Sequence, residues 1–87
     1  MINESLSEKV FDRLFAILEE MGIPSENIKL ESHLEDDLGI DSTELVEFSV
    51  AIEKEFNVDI ERKDLDNMET IKDIVTYLLS HPLTRLS

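Results

Sequence analysis

The stretch Leu38-Gly39-Ile40-Asp41-Ser42-Thr43-Glu44-Leu45-Val46-Glu47-Phe48 decides how this chain is read. Asp41, followed three residues on by Glu44, has the form of a capping box, in which two side chains satisfy the free N–H groups at a helix start. Gly39, just ahead of it, allows a backbone geometry that other residues resist. A helix is predicted from about Ser42 to Phe56. On a helix turning about 100° per residue, Leu45, Phe48, Ile52 and Phe56 share one arc and form the core face. Thr43, Val46 and Val50 fall elsewhere, with Glu47 and Glu53 beside them. Two valines therefore stand among acids on a side that the core does not need, as in a docking surface with an apolar centre and a charged rim. Burying both against a partner would contribute about 2–4 kcal/mol before association costs.

Three further helical segments read outward from this one. Val10, Phe11, Leu14, Ile17, Leu18 and Met21 recur at helical spacing, predicting a helix from about Ser5 to Met21. Ser5 with Glu8 reads as its capping box, while Gly22 and Pro24 stop it. A long connection then runs from Ile23 to about Asp41. Ile28, Leu30, Leu34, Leu38 and Ile40 are spaced through it, so it is expected to pack on the core, with Ser32 and Glu35 capping a single turn. A short third helix is expected within Glu61 to Asn67, anchored by Ile60, Leu65 and Met68. Thr70 caps a last helix, Ile71 to about Ser80, whose stripe is Ile71, Ile74, Val75, Leu78 and Leu79 and which Pro82 ends. Residues 81–87 read as a loose tail. The fold expected is all-α: a four-helix bundle of three main helices and a short third one, with a long connection between helices 1 and 2. Residues 1–87 read as a single domain.

Composition narrows the function. The 87 residues carry 21 acids against 8 bases, for a net charge of −13, which argues against binding nucleic-acid backbones and suits partners with basic patches. Between Glu31 and Asp59 ten acids face one base, Lys54, so the excess surrounds the opening motif. With no cysteine there is neither a disulfide framework nor a thiolate metal site. No apolar run is long enough for a membrane span, and Met1-Ile2-Asn3-Glu4 is unlike the basic start of a signal peptide. The expected location is the cytoplasm, and the expected state a monomer.

No enzyme is legible. A serine nucleophile needs a base in reach, and His33 and His81, both read as surface residues, lie far from Ser42 in the sequence. A calcium loop aligned on Gly39 would need an acid or amide at Leu34 and a glutamate at Leu45, so no metal site is expected. The residues alone leave Ser42 three roles. It is a further capping residue, the favoured role on the helix start alone, a tolerated polar residue of the first turn, or the carrier of a phosphate placed in the field of the helix N-terminus.

Asp37-Leu38-Gly39-Ile40-Asp41-Ser42 resembles the D-L-G-x-D-S element of the acyl carrier proteins. The likeness runs on through ELVEFSVAIEKEF and NVDIERKDLDNMETIKDIVTYL, covering roughly Ser5 to Leu79. It implies that Ser42 bears 4′-phosphopantetheine, taken from coenzyme A, whose thiol carries acyl groups as thioesters between biosynthetic enzymes. It implies a phosphopantetheinyl transferase and acyl-loading and acyl-processing enzymes as partners, meeting Asp41, Thr43, Glu44, Val46, Glu47, Val50 and Glu53. It further implies that Phe48 and Ile52 line a pocket for the chain. Thr43 stands where the family usually has leucine, Lys54 where an acid is frequent, and Ser49 at the edge of the core arc. These departures point to a specialised carrier (polyketide, modified-lipid or aminoacyl chemistry) rather than general fatty-acid synthesis. The competing reading is a small acidic interaction module with no prosthetic group, in which Ser42 only caps.

Overall fold

A computed structural model of the chain describes residues 6–80. The described elements are α1 (Leu6–Glu20), a 3₁₀ turn (Ser25–Asn27), α2 (Ser42–Phe56), α3 (Arg62–Asp66) and α4 (Ile71–Ser80). Among the described residues there is no strand, only an isolated antiparallel bridge between His33 and Thr70. The all-helical bundle read from the sequence is the fold. The expected Ser5 cap, the stop at Pro82 and the tail from His81 lie outside the described residues.

Each main helix buries one stripe. Val10, Leu14 and Leu18 of α1, Phe48, Ile52 and Phe56 of α2, and Ile71, Ile74, Val75 and Leu78 of α4 meet in a single core. The connection seals one flank with Ile28, Leu34, Leu38 and Ile40, all buried. Two leucines depart from the expected pattern. Leu30 remains 39% exposed and Leu79 37%. Both line an open groove between α1 and α4, where the seam is already filled by Val75 and Phe11. Across the α1–α2 seam Arg13 pairs with Glu55, a half-exposed contact that contributes at most about 1 kcal/mol.

The ends of the elements follow the chemistry of the residues there. Gly22, at φ +91°, closes α1: its N–H donates to the Glu19 carbonyl, and the Ile23 N–H reaches back to Leu18. Pro24 opens the 3₁₀ turn, which the sequence reading missed. Ser32 corrects a second expectation. It does not cap the next turn with Glu35; it is 6% exposed, and its hydroxyl accepts from the Lys29 N–H and donates to the Asn27 carbonyl at 2.6 Å. A buried hydroxyl takes the nearest backbone partners, and the preceding turn supplies both. The following turn does form, but Asp37 caps it by accepting the His33 N–H at 2.8 Å.

α4 begins with a reciprocal box: Thr70 Oγ1 accepts from the Asp73 N–H, and the Asp73 carboxylate accepts from the Thr70 and Glu69 N–H groups. That end also holds the connection in place. Leu34 N–H donates to Glu69, while Ile71 and Lys72 N–H donate to Ser32 and Leu30. The connection therefore delivers Asp41 and Ser42 at a fixed height on the bundle.

Candidate functional site

The site is built from Gly39 onward. At φ +69° this glycine ends the turn over Leu34–Leu38, so that the Ile40 N–H donates to the Leu34 carbonyl at 2.9 Å. A side chain is strained in that left-handed conformation. Ile40 then turns into the core, and Asp41 takes the extended conformation of an N-cap. Its Oδ1 accepts the Glu44 N–H at 2.8 Å, while Glu44 Oε1 accepts the Asp41 N–H at 3.2 Å. Capping at α2 is done by Asp41 and Glu44. Ser42 is left exposed in the first helical turn, its hydroxyl without a hydrogen bond among the described residues.

Beside Ser42 lies a cleft of about 470 Å³. Ile40 and Leu45 form one side of its apolar lining, and Leu65 and Met68 the other. His33, Glu35, Asp36, Asp41, Asp66 and Glu69 make its polar lining. His33, distant from Ser42 in sequence, is thus brought to the same cleft by the bridge to Thr70. Phe48 and Ile52 are 0% and 1% exposed, sealed in the core, and do not line this opening. Among the described residues no group of His, Cys, Asp and Glu side chains is arranged to hold a metal ion. No described helix is long and apolar enough to cross a membrane.

The residues singled out along α2 separate into two groups. Thr43, Glu47, Val46 (41%) and Val50 (42%) are exposed on one face. Glu44 and Glu53 are half-buried and engaged, Glu44 in the capping box and Glu53 on the Ile60 N–H at 2.8 Å. Ser49 is 8% exposed and donates its hydroxyl to the Val46 carbonyl at 2.7 Å, the backbone partner a buried hydroxyl requires. Glu53 had no sequence signal for its role, because its partner is fixed only when the chain after α2 turns back. On α4, outside this cleft, burial first and the facing Asp64 carboxylate second push the Tyr77 phenol above its ordinary range. The Tyr77 hydroxyl donates to Asp64 at 3.1 Å.

The chain is similar in sequence to proteins of one known family. A family model described as the phosphopantetheine attachment site covers residues 14–78. The acyl carrier protein of Clostridium acetobutylicum is 36% identical over 74 residues, 85% of this chain and 92% of that protein. That of Chlorobium phaeobacteroides is 35% identical over 79 residues, 91% of this chain and 97% of that protein. That of Bdellovibrio bacteriovorus is 37% identical over 62 residues, 71% of this chain and 80% of that protein. The Val46/Val50 patch suits a carrier and a bare interaction module equally well, and it is the match across the bundle that separates them. The chain belongs to the acyl carrier proteins, the family built around a phosphopantetheine attachment site.

Proposed function

We propose that Ser42 is the attachment point and that the exposed face of α2 is where the modifying and acyl-processing enzymes dock. One observation carries the assignment. Asp41 and Glu44 complete the capping of α2 between themselves, so the Ser42 hydroxyl stands exposed and uncommitted at the helix start. The residues present fit a phosphodiester there. The free N–H groups and partial positive charge of the first turn favour an anion on Ser42. The prosthetic group supplies a thiol on a long arm, which the cysteine-free chain lacks, and holds acyl groups as thioesters.

The chain's own residues would present that arm. Asp41 fixes the first turn, so that the Ser42 oxygen reaches an enzyme in one orientation. Attack of Ser42 Oγ on the β-phosphorus of coenzyme A forms the Oγ–P bond and expels adenosine 3′,5′-bisphosphate, the hydroxyl proton passing to a base on the transferase. Glu47 and Asp41 would attract basic patches, and Val46 and Val50 would fill shallow apolar spots. Docking of this kind gives fast association and easy release, as a shuttle requires. Thr43 places a hydroxyl on the docking face beside Ser42 and would narrow which transferase accepts the chain. The protein acts as a carrier and not as a catalyst, a monomer of one domain in the cytoplasm, and its unusual Thr43 favours a specialised pathway.

Intact mass after incubation with coenzyme A and a broad-specificity phosphopantetheinyl transferase tests the assignment. The chain is expected to gain one phosphopantetheine and Ser42→Ala none. A gain that persists in Ser42→Ala would place the group elsewhere. If the unaltered chain gains nothing, a gain restored in Thr43→Leu would put the block at Thr43, and no gain in either would leave Ser42 a residue of the helix start only.

A further inference from the structure

The two walls of the cleft beside Ser42 are built by different means. On the α2 side the capping box holds the wall. The opposite wall, formed by Leu65, Asp66 and Met68, belongs to α3 and the turn after it. A helix of 5 residues is too short to stand on its own backbone bonds, and Glu61 at its start gives no side-chain cap. Its first turn hangs from the Glu61 carbonyl, which accepts the Asp64 and Leu65 N–H groups at 3.0 Å each. The residue before Glu61 is what fixes it. The Ile60 N–H donates to Glu53 Oε2 at 2.8 Å, a charge-assisted bond reaching back to α2. A second tether comes from α4, through Tyr77 to Asp64.

We propose that Glu53 is a positioning residue: by accepting the Ile60 N–H it sets where α3 stands, and so how far the apolar lining of the Ser42 cleft opens to a carried acyl group. This task differs from meeting a partner's basic patch, the role the family resemblance implied for Glu53 alongside Glu47. Glu53 is half-buried and engaged, whereas Glu47 is exposed and has no intramolecular partner among the described residues. The consequence for the acyl group rests on Ser42 being the attachment point; the placement of α3 does not.

The two tasks separate on chemistry. Accepting a hydrogen bond needs an acceptor, which Gln keeps and Ala lacks; docking by charge needs a carboxylate, which both lack. The experiment uses the full chain with Glu53→Gln, Glu53→Ala and Glu47→Gln. Amide hydrogen exchange of the unmodified protein is read at Leu65 and Met68, with Val10 and Leu14 as references. Glu53→Ala is expected to speed exchange at Leu65 and Met68 by roughly fivefold or more, with the α1 references unmoved, and Glu53→Gln to stay within about twofold of the parent.

The same set is then loaded with a pantetheine arm ending in an environment-sensitive fluorophore. Emission is expected to shift to the red in Glu53→Ala and to hold in Glu53→Gln. Transferase turnover is expected to fall in Glu47→Gln and to hold in Glu53→Gln. Parent-like exchange at Leu65 and Met68 in both Glu53 variants, with turnover falling equally in both, would make Glu53 a docking charge and overturn the proposal. If the arm attaches neither to the parent chain nor to Thr43→Leu, the reading of Ser42 fails instead, and the exchange data still decide the role of Glu53.

Discussion

The start of α2 and the end of α3 face each other across one cleft, and they are held in opposite ways. α2 is 15 residues long, buries three large side chains, and closes its own first turn with neighbours three residues apart. α3 has 5 residues, no side-chain cap, and tethers that come from α2 and α4. The wall that presents Ser42 is therefore fixed locally. The wall facing it is placed by remote residues, so it yields first when they change. With Ser42 as the proposed attachment point, a carrier would gain from this division: the attachment point must look the same to every enzyme, while the lining beside it must suit the group being carried.

Substitutions in the two walls should differ in size and in reach. Phe48→Ala, at a fully buried position of α2, should cost about 3–5 kcal/mol in urea unfolding, enough to populate the unfolded chain. Leu65→Ala, on α3, should fall at the low end for such changes, about 2 kcal/mol, with faster amide exchange confined to the segment after Ile60. Equal losses for the two would mean that α3 is as much a part of the core as α2. Asp41→Ala should cost about 1–2 kcal/mol and fray the first turn of α2, slowing modification of Ser42 by a competent transferase. Ser42→Ala should cost about 1 kcal/mol or less, since Asp41 remains to cap, while abolishing the gain of phosphopantetheine. Glu47→Lys should leave stability within about 0.5 kcal/mol while weakening transferase docking and lessening its dependence on salt.

The contrast between the walls is also a contrast in what the sequence makes legible. The bounds of α2 and α4 follow from Asp41 with Glu44 and from Thr70, because a cap is a local device; that Asp73 completes a box with Thr70 came from the structure. The core arc of Phe48, Ile52 and Phe56 follows from helical spacing, and Gly22 and Gly39 occupy the left-handed turns that glycine tolerates. Ser42 was legible as the residue of interest, but that its hydroxyl stays free of the cap needed the bond pattern. Asn57, at φ +58° behind α2, is a stop signal that could have been read from its residue type. What stayed hidden depends on contacts between distant segments. Ser32 turning to Asn27 and Lys29, His33 reaching the cleft and Glu53 bonding to Ile60 depend on where the connections fold back, and no period or spacing encodes that.

The smallest expected effect concerns the second box, which steadies the connection leading to Ser42. The Asp73 carboxyl is held below its ordinary value of 3.8, chiefly by the Glu69 N–H; slight burial opposes this, and Thr70 and the nearby His33 add to it. Because the folded value is the lower one, the stabilisation is fully present above the ordinary range of aspartate. It is lost as pH falls through the depressed folded value, where the carboxylate must be protonated in both states. The group is exposed, so solvent limits the effect. Urea unfolding of the parent and Asp73→Asn should therefore show a small gap near neutrality that closes as the solution is acidified. Asn keeps one acceptor for the Glu69 and Thr70 N–H groups but not the charge. A gap that holds constant into acid would mean that the box owes its strength to geometry alone.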